Sequence, residues 1–287
     1  MSNLFINQLK TVALQCRRNV VTQIFNARSG HPGGSLSCID ILVYLFKYAN
    51  IGSPNTESHL ILSKGHAAPA LYAVAAEFGL IPHLELLSFR KINGLLQGHP
   101  HVQTTPWVNT STGSLGQGFS VSVGMALGFK HQIKMDRVYA ILGDGEMQEG
   151  EVWEAAMSAA HFNLDNLCVV VDYNKLQSDN LNENIMSLES LRDKWSAFNW
   201  NVIEIDGHDF ENIEMAFNSA VSNPRKPTVI IANTIKGKGI SYMESVPTWH
   251  GSVTMRNQEL EQALRDLNTP ETDIPKYLDG SIWSDTK

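Results

Sequence analysis

The chain lacks the features that mark several protein classes. It has three cysteines, Cys16, Cys38 and Cys168, and none forms a CxxC pair. An odd, sparse set of this kind reads as free thiols in a reducing cytoplasm rather than a disulfide framework. Cys168 lies inside an apolar run and reads as a buried small hydrophobe. Basic residues are in the minority, 22 against 29 acidic ones, for a net charge of −7. That argues against a nucleic-acid-binding surface, while leaving room for a local basic pocket that could take phosphate. No apolar stretch reaches the ~18 residues of a membrane span. The N-terminus carries no basic region followed by an apolar run, so no secretory leader is expected. Repeats and low-complexity linkers are absent too. What remains is the composition of a soluble enzyme, 43% hydrophobic and 18% charged over 287 residues. This is enough for one large domain with a sizeable core, or two small ones.

Apolar spacing near a helical period predicts helices over 4–27, 37–48, 67–78 and 116–133, with a Gly/Pro/Ser break at 29–35. From Arg137 the pattern changes. Short apolar runs at 138–142, 167–171, 201–205 and 228–233 alternate with helical stretches at 151–161, 188–198 and 210–221. Such runs read as parallel strands buried on both faces. The expected fold class is therefore α/β, a doubly wound, mainly parallel sheet with sites at the carboxyl ends of its strands. Residues 1–265 are expected to form the domain, and 266–287 a C-terminal tail packed on its surface or on a partner.

The strongest chemical signal is Gly143-Asp144-Gly145, directly after the first of these strands. Asn174 lies 30 positions beyond Asp144, just after the second. Both are hard oxygen ligands suited to Mg²⁺ or Ca²⁺. The flanking glycines admit an anion close to the backbone, and Gly145 frees an N–H for a phosphate. A cation with few protein ligands completes its shell with phosphate oxygens, so the pattern points to a metal-bridged diphosphate. The competing reading is a tight turn and a capping asparagine, but the spacing and the two strand ends weigh against it.

Four of the ten histidines lie beside glycine or proline breaks: His31 in SGHPGGS, His66 in SKGHAAPALY, His99 in QGHP and His250 in WHGS. Imidazole donates to phosphate and sugar oxygens and moves protons near neutral pH. The loop Ser111–Gly118 feeds a helix N-terminus, where it could bind an anion or simply allow close packing. Lys236 and Lys238, in a glycine-bearing loop after the last strand, suit a phosphate or a solvated basic turn.

These segments resemble the transketolase family. GDGEMQEGEVWEAAMSAAHFNLDNLCVVVDYNKLQ is similar to its thiamine-diphosphate fingerprint, and the likeness runs from about residue 10 to about residue 265. The resemblance implies thiamine diphosphate as cofactor, with Mg²⁺ (Ca²⁺ or Mn²⁺ as substitutes) held by Asp144, Asn174 and the carbonyl of Leu176. It assigns cofactor contacts to His66, His250, Gly143 and Gly145. It places Gly113 and Leu115 at the aminopyrimidine and adds Ser114, which stands where the family often has proline, to the cofactor-binding set. Glu149 falls near a subunit interface between cofactor sites. His31 and His99 fall in the substrate channel as the catalytic histidines, for proton handling or hydroxyl binding.

The same resemblance covers only the first of three family domains. The domain that supplies an activating glutamate and most of the sugar-phosphate grip has no counterpart here. The resemblance therefore implies an α2β2 heterotetramer with a separate C-terminal subunit, and no nucleic acid or membrane partner. The implied reaction moves a two-carbon ketol (glycolaldehyde) unit from a ketose phosphate to an aldose phosphate in the cytoplasm. Specialised donors such as apulose 4-phosphate or 6-deoxy-6-sulfofructose are alternatives. More distant ones are the alpha subunit of a 2-oxo-acid dehydrogenase, which is not expected to carry this histidine set, and a non-catalytic interaction subunit.

Overall fold

A computed structural model describes residues 2–53 and 56–284. Its helices are α1 (Asn3–Ala27), α2 (Pro32–Ser37), α3 (Ile39–Tyr48), α4 (Ala68–Glu77), α5 (Gln117–His131), α6 (Gly150–His161), α7 (Asn182–Ile185), α8 (Leu191–Ala197), α9 (Phe210–Ser222), α10 (Asn257–Asp266) and α11 (Ile274–Asp279). Its strands are β1 (Ser58–Leu62), β2 (Arg137–Gly143), β3 (Leu167–Tyr173), β4 (Leu176–Gln177), β5 (Asn180–Leu181), β6 (Asn201–Asp206) and β7 (Thr228–Asn233). Strands β1-β2-β3-β7-β6 form one sheet in that order, and every neighbouring pair is parallel. The small β4–β5 pair is antiparallel.

The continuous apolar runs follow from burial on both faces. Along β2, Tyr139 and Ile141 face a core built with α1, α3, α4 and α9. Val138, Ala140 and Leu142 face the opposite core, with α5, α6 and α8. This is the doubly wound α/β sheet expected from the sequence.

Two expectations change. Strand β1 escapes the sequence pattern, because Ser58 and His59 dilute its apolar run to Leu60–Leu62. The break at 29–35 is in part helical: Pro32 opens α2, its fixed φ suiting a first helical turn, and α2 is buried throughout.

The segment after residue 265 is part of the packing. Ile274, Tyr277 and Trp283 are buried in the α1-side core. The Tyr277 hydroxyl lies 3.0 Å from Gln15 Nε2, and Trp283 Nε1 donates to Asn19 Oδ1 at 3.1 Å. Among the described residues no helix is long and apolar enough to cross a membrane.

Candidate active site

The carboxyl ends of β2, β3 and β7 open onto a cavity of ≈ 300 Å³. Parallel strands bring their C-terminal loops to one edge, the usual place for a ligand in such a sheet. Asp144 ties two of these loops together. One carboxylate oxygen accepts the Gly145 N–H at 2.8 Å and the other accepts the Lys175 N–H. The Gly145 N–H expected to be free for phosphate is thus already engaged by Asp144. Asn174 Oδ1 accepts the Leu176 N–H at 3.2 Å across Lys175, whose φ is 67°. The Leu176 carbonyl accepts from Lys236 Nζ at 2.8 Å. Burial, reinforced by the nearby Asp172 carboxylate, pushes the Asp144 carboxyl up to about 7. Burial likewise brings Lys236 down to about 8, against the pull of Asp144.

Beneath this layer lies a buried ion pair, Lys64 with Asp172. Lys64 Nζ also donates to the Gly34 carbonyl at 2.8 Å. Asp172 accepts from Ser37 Oγ at 2.6 Å, from Asn174 Nδ2 at 3.2 Å and from Thr234 Oγ1. Burial opposes both charges, yet their mutual attraction outweighs it. Lys64 is held above its ordinary range and Asp172 below its own. Neither stands out in the sequence. The available signal is an aspartate inside an otherwise apolar, doubly buried strand.

Glu146 also escapes sequence reasoning. Its carboxylate accepts from Ser63 Oγ at 2.5 Å and from the N–H groups of Gly116 (2.9 Å) and Gly143 (3.0 Å). It thereby bolts the Gly113–Gly116 loop to the end of β2. Gly116 has φ 87°, a conformation that costs an ordinary L-residue energy and leaves glycine free.

Three of the four loop histidines form a triangle. Ring centroids are 5.3 Å apart for His31–His66, 5.4 Å for His66–His250 and 5.8 Å for His31–His250. All three line the cavity, together with Gly113, Leu115, Gly143, Gly145 and Glu149. His99 stands beside it rather than in its wall. A Cβ on Gly113 would lie 3.2 Å from the His99 ring. Ser114 is exposed and outside the cavity lining. Lys238 points away and pairs with Glu244 at 3.6 Å. Among the other histidines, His59 pairs with Asp136, His83 with Glu77 and His208 with Asp40.

Burial, then the charges of Arg90, His99 and Lys236, bring His31 down to about 4. Burial, then Lys236, His31 and Lys64, brings His250 to about 3. Both values fall below the ordinary 6.5. As pH drops from about 6.5, the unfolded chain therefore takes up these protons first, and the two histidines subtract stability until their folded values are passed. In an NMR titration of the free chain, both rings should keep neutral-imidazole shifts from pH 8 to about 5. Midpoints near the ordinary value would contradict this environment.

Comparison with known proteins places the chain in a family. Residues 9–274 match the family described as transketolase, thiamine diphosphate binding domain. The chain is 37% identical over 281 residues to an apulose-4-phosphate transketolase subunit of Phocaeicola vulgatus, covering 95% of this chain and 99% of that one. It is 41% identical over 254 residues to the 6-deoxy-6-sulfo-D-fructose transketolase subunit SqwG of a Clostridium species, covering 86% and 90%. The solved transketolase of Campylobacter jejuni superposes with a TM-score of 0.84 at 27% identity, over 98% of this chain and 48% of that one. The chain thus spans less than half of that transketolase and nearly all of the two subunits.

Proposed function

The chain belongs to the transketolase family, as its thiamine-diphosphate-binding domain, and from that premise we propose that it is the N-terminal subunit of a split transketolase, active only with a separate C-terminal subunit. The observation that carries this reading is the convergence of Asp144, Asn174, Leu176, Lys236 and the histidine triangle at one sheet edge. Several features fit the cofactor. The Nδ1 atom of His250 is buried without a hydrogen-bond partner among the described residues, leaving a donor or acceptor for an incoming group. The Lys236 ammonium lies on the cavity wall and suits an anionic diphosphate. One carboxylate, one amide oxygen and one backbone carbonyl form a hard-oxygen set for Mg²⁺, which completes its shell with phosphate oxygens.

Thiamine diphosphate, when bound, supplies the electron sink for breaking and re-forming the ketose C–C bond. The chain's residues do the rest. Asp144, Asn174 and the Leu176 carbonyl would hold the metal. His66, His250 and Lys236 would grip the diphosphate, and Glu146 fixes the glycine loop that would lie against the cofactor. His31 and His99, kept neutral by their surroundings, would donate to the donor sugar's hydroxyls and pass protons at the cleaved bond. Glu149 stands at the N-terminal boundary of α6 on the cavity wall, where it would face a second cofactor site across a subunit interface.

The assembly we propose is an α2β2 heterotetramer in which a C-terminal subunit completes each such half-site. The family match sets this reading above the 2-oxo-acid dehydrogenase alternative. Three buried free thiols accord with a cytoplasmic setting. The relatives' own names make apulose 4-phosphate and 6-deoxy-6-sulfofructose donors to test alongside pentose-phosphate ketoses. The test is calorimetry with thiamine diphosphate and Mg²⁺ in the presence of the C-terminal partner chain, followed by a donor panel. Saturable binding with two-carbon transfer from one donor class supports the proposal. Binding without transfer from any ketose donor would instead favour an interaction subunit.

A further inference from the structure

Arg90 is a cation without a carboxylate partner among the described residues, placed between two histidine loops. Its backbone adopts φ 55°, held by its own N–H on the Leu96 carbonyl at 2.9 Å. Its guanidinium donates from Nη1 to Ser29 Oγ at 2.6 Å and meets His31 Nδ1 from Nη2 at 3.3 Å. The other side of the same group packs on Gly98, where a Cβ would stand 3.0 Å from Arg90 Nε. Nε itself is buried with no hydrogen-bond partner among the described residues. Arg90 as a whole is half-buried, but a buried donor left without a hydrogen bond costs stability, so this placement calls for another reason.

The geometry assigns one. A guanidinium carries donors only, so His31 Nδ1 must be the acceptor, and the ring's proton resides on Nε2. We propose that Arg90 is a positioning residue that locks His31 as a neutral Nε2–H donor and clamps the Ser29–His31 loop to the Gly98–His99 loop. The charged and titratable groups facing His31 are Arg90, His99 and Lys236, with the His66 and His250 rings 5.3 and 5.8 Å away. Burial, then Arg90, His99 and Lys236, disfavours a second proton on His31, and of these groups Arg90 is the one hydrogen-bonded to the ring among the described residues. Burial, and then Arg90, lowers His99 as well.

The state of His31 is independent of the proposed reaction, whereas the effect on turnover rests on the transketolase reading. The test begins with nitrogen-15 NMR of the full chain, free of cofactor, at pH 7. The expected spectrum has His31 Nδ1 unprotonated and Nε2 protonated. A doubly protonated ring, or a proton on Nδ1, would overturn the proposal without any variant. In Arg90→Leu the His31 midpoint should rise towards its ordinary value, and an unchanged midpoint would also overturn it. With the partner chain present, Arg90→Leu should lower kcat by about 10- to 100-fold through misplacement of a reacting group. Half-saturation by thiamine diphosphate should stay within about 2-fold, because Arg90 lies outside the cavity wall. An unchanged kcat beside a changed midpoint would remove the role in turnover. If the wild-type pair transfers no ketol unit, the transketolase reading fails while the NMR result stands.

Discussion

Asp144→Ala should weaken thiamine diphosphate binding in the presence of Mg²⁺ by at least about 100-fold, since even groups behind a metal ligand are worth 10- to 100-fold. The same variant should leave the free chain's melting temperature unchanged or higher. The folded Asp144 carboxyl is raised to about 7 from 3.8, so the unfolded chain releases that proton first as pH rises. The carboxylate therefore subtracts from stability at neutral pH in the absence of a cation. Its two backbone bonds, to Gly145 and Lys175, recover part of that loss. A residue kept at such a cost is a candidate for function rather than for folding. Calorimetry and thermal denaturation of the same sample read both effects. Undiminished binding would contradict the metal assignment, and a large fall in melting temperature would recast Asp144 as a loop tie.

Lys64→Met should cost about 3–5 kcal/mol, because it leaves the Asp172 carboxylate buried without its counter-charge. Lys64 and Asp172 expose only 1% and 0% of their side chains, so solvent cannot take the place of the missing ammonium. Asp172 would retain Ser37, Asn174 and Thr234 as donors, which sets the loss nearer the lower figure. Adding Asp172→Leu should recover much of it, since a buried pair replaced whole is far less costly than a pair broken. Asp172 has a depressed folded value, so the wild-type pair's contribution is present above pH 3.8 and is lost as pH falls through that folded value. Urea unfolding of the wild type, the two single variants and the double variant at pH 7 measures the cycle. A loss below about 1 kcal/mol for Lys64→Met would mean that the pair is hydrated.

The sheet is legible in the sequence because β2, β3 and β7 are buried on both faces and so are written as unbroken apolar runs. Asp144 and Asn174 stand out because each closely follows such a run. Strand β1 is hidden by its polar first two residues, and α2 by glycines that usually mark a loop. The histidine triangle is legible only as four separate loop residues. Which three close on one another depends on how α2, the turn before α4 and the segment after β7 pack, and no local pattern carries that. Lys64, Glu146 and Arg90 are invisible for a shared reason. Each acts by bonding to a residue far away in sequence: Asp172, Gly116 and His31. Their roles exist only once the loops have met.

The central claim is that this chain holds the diphosphate end of the cofactor and turns over only with a second chain. Its most direct test is a steady-state ketol-transfer assay at saturating thiamine diphosphate and Mg²⁺, run on the purified chain alone and then titrated with the C-terminal subunit. The expected result is no transfer by the chain alone and activity that rises to a plateau at one partner per chain. Full transfer by the chain alone would contradict the claim.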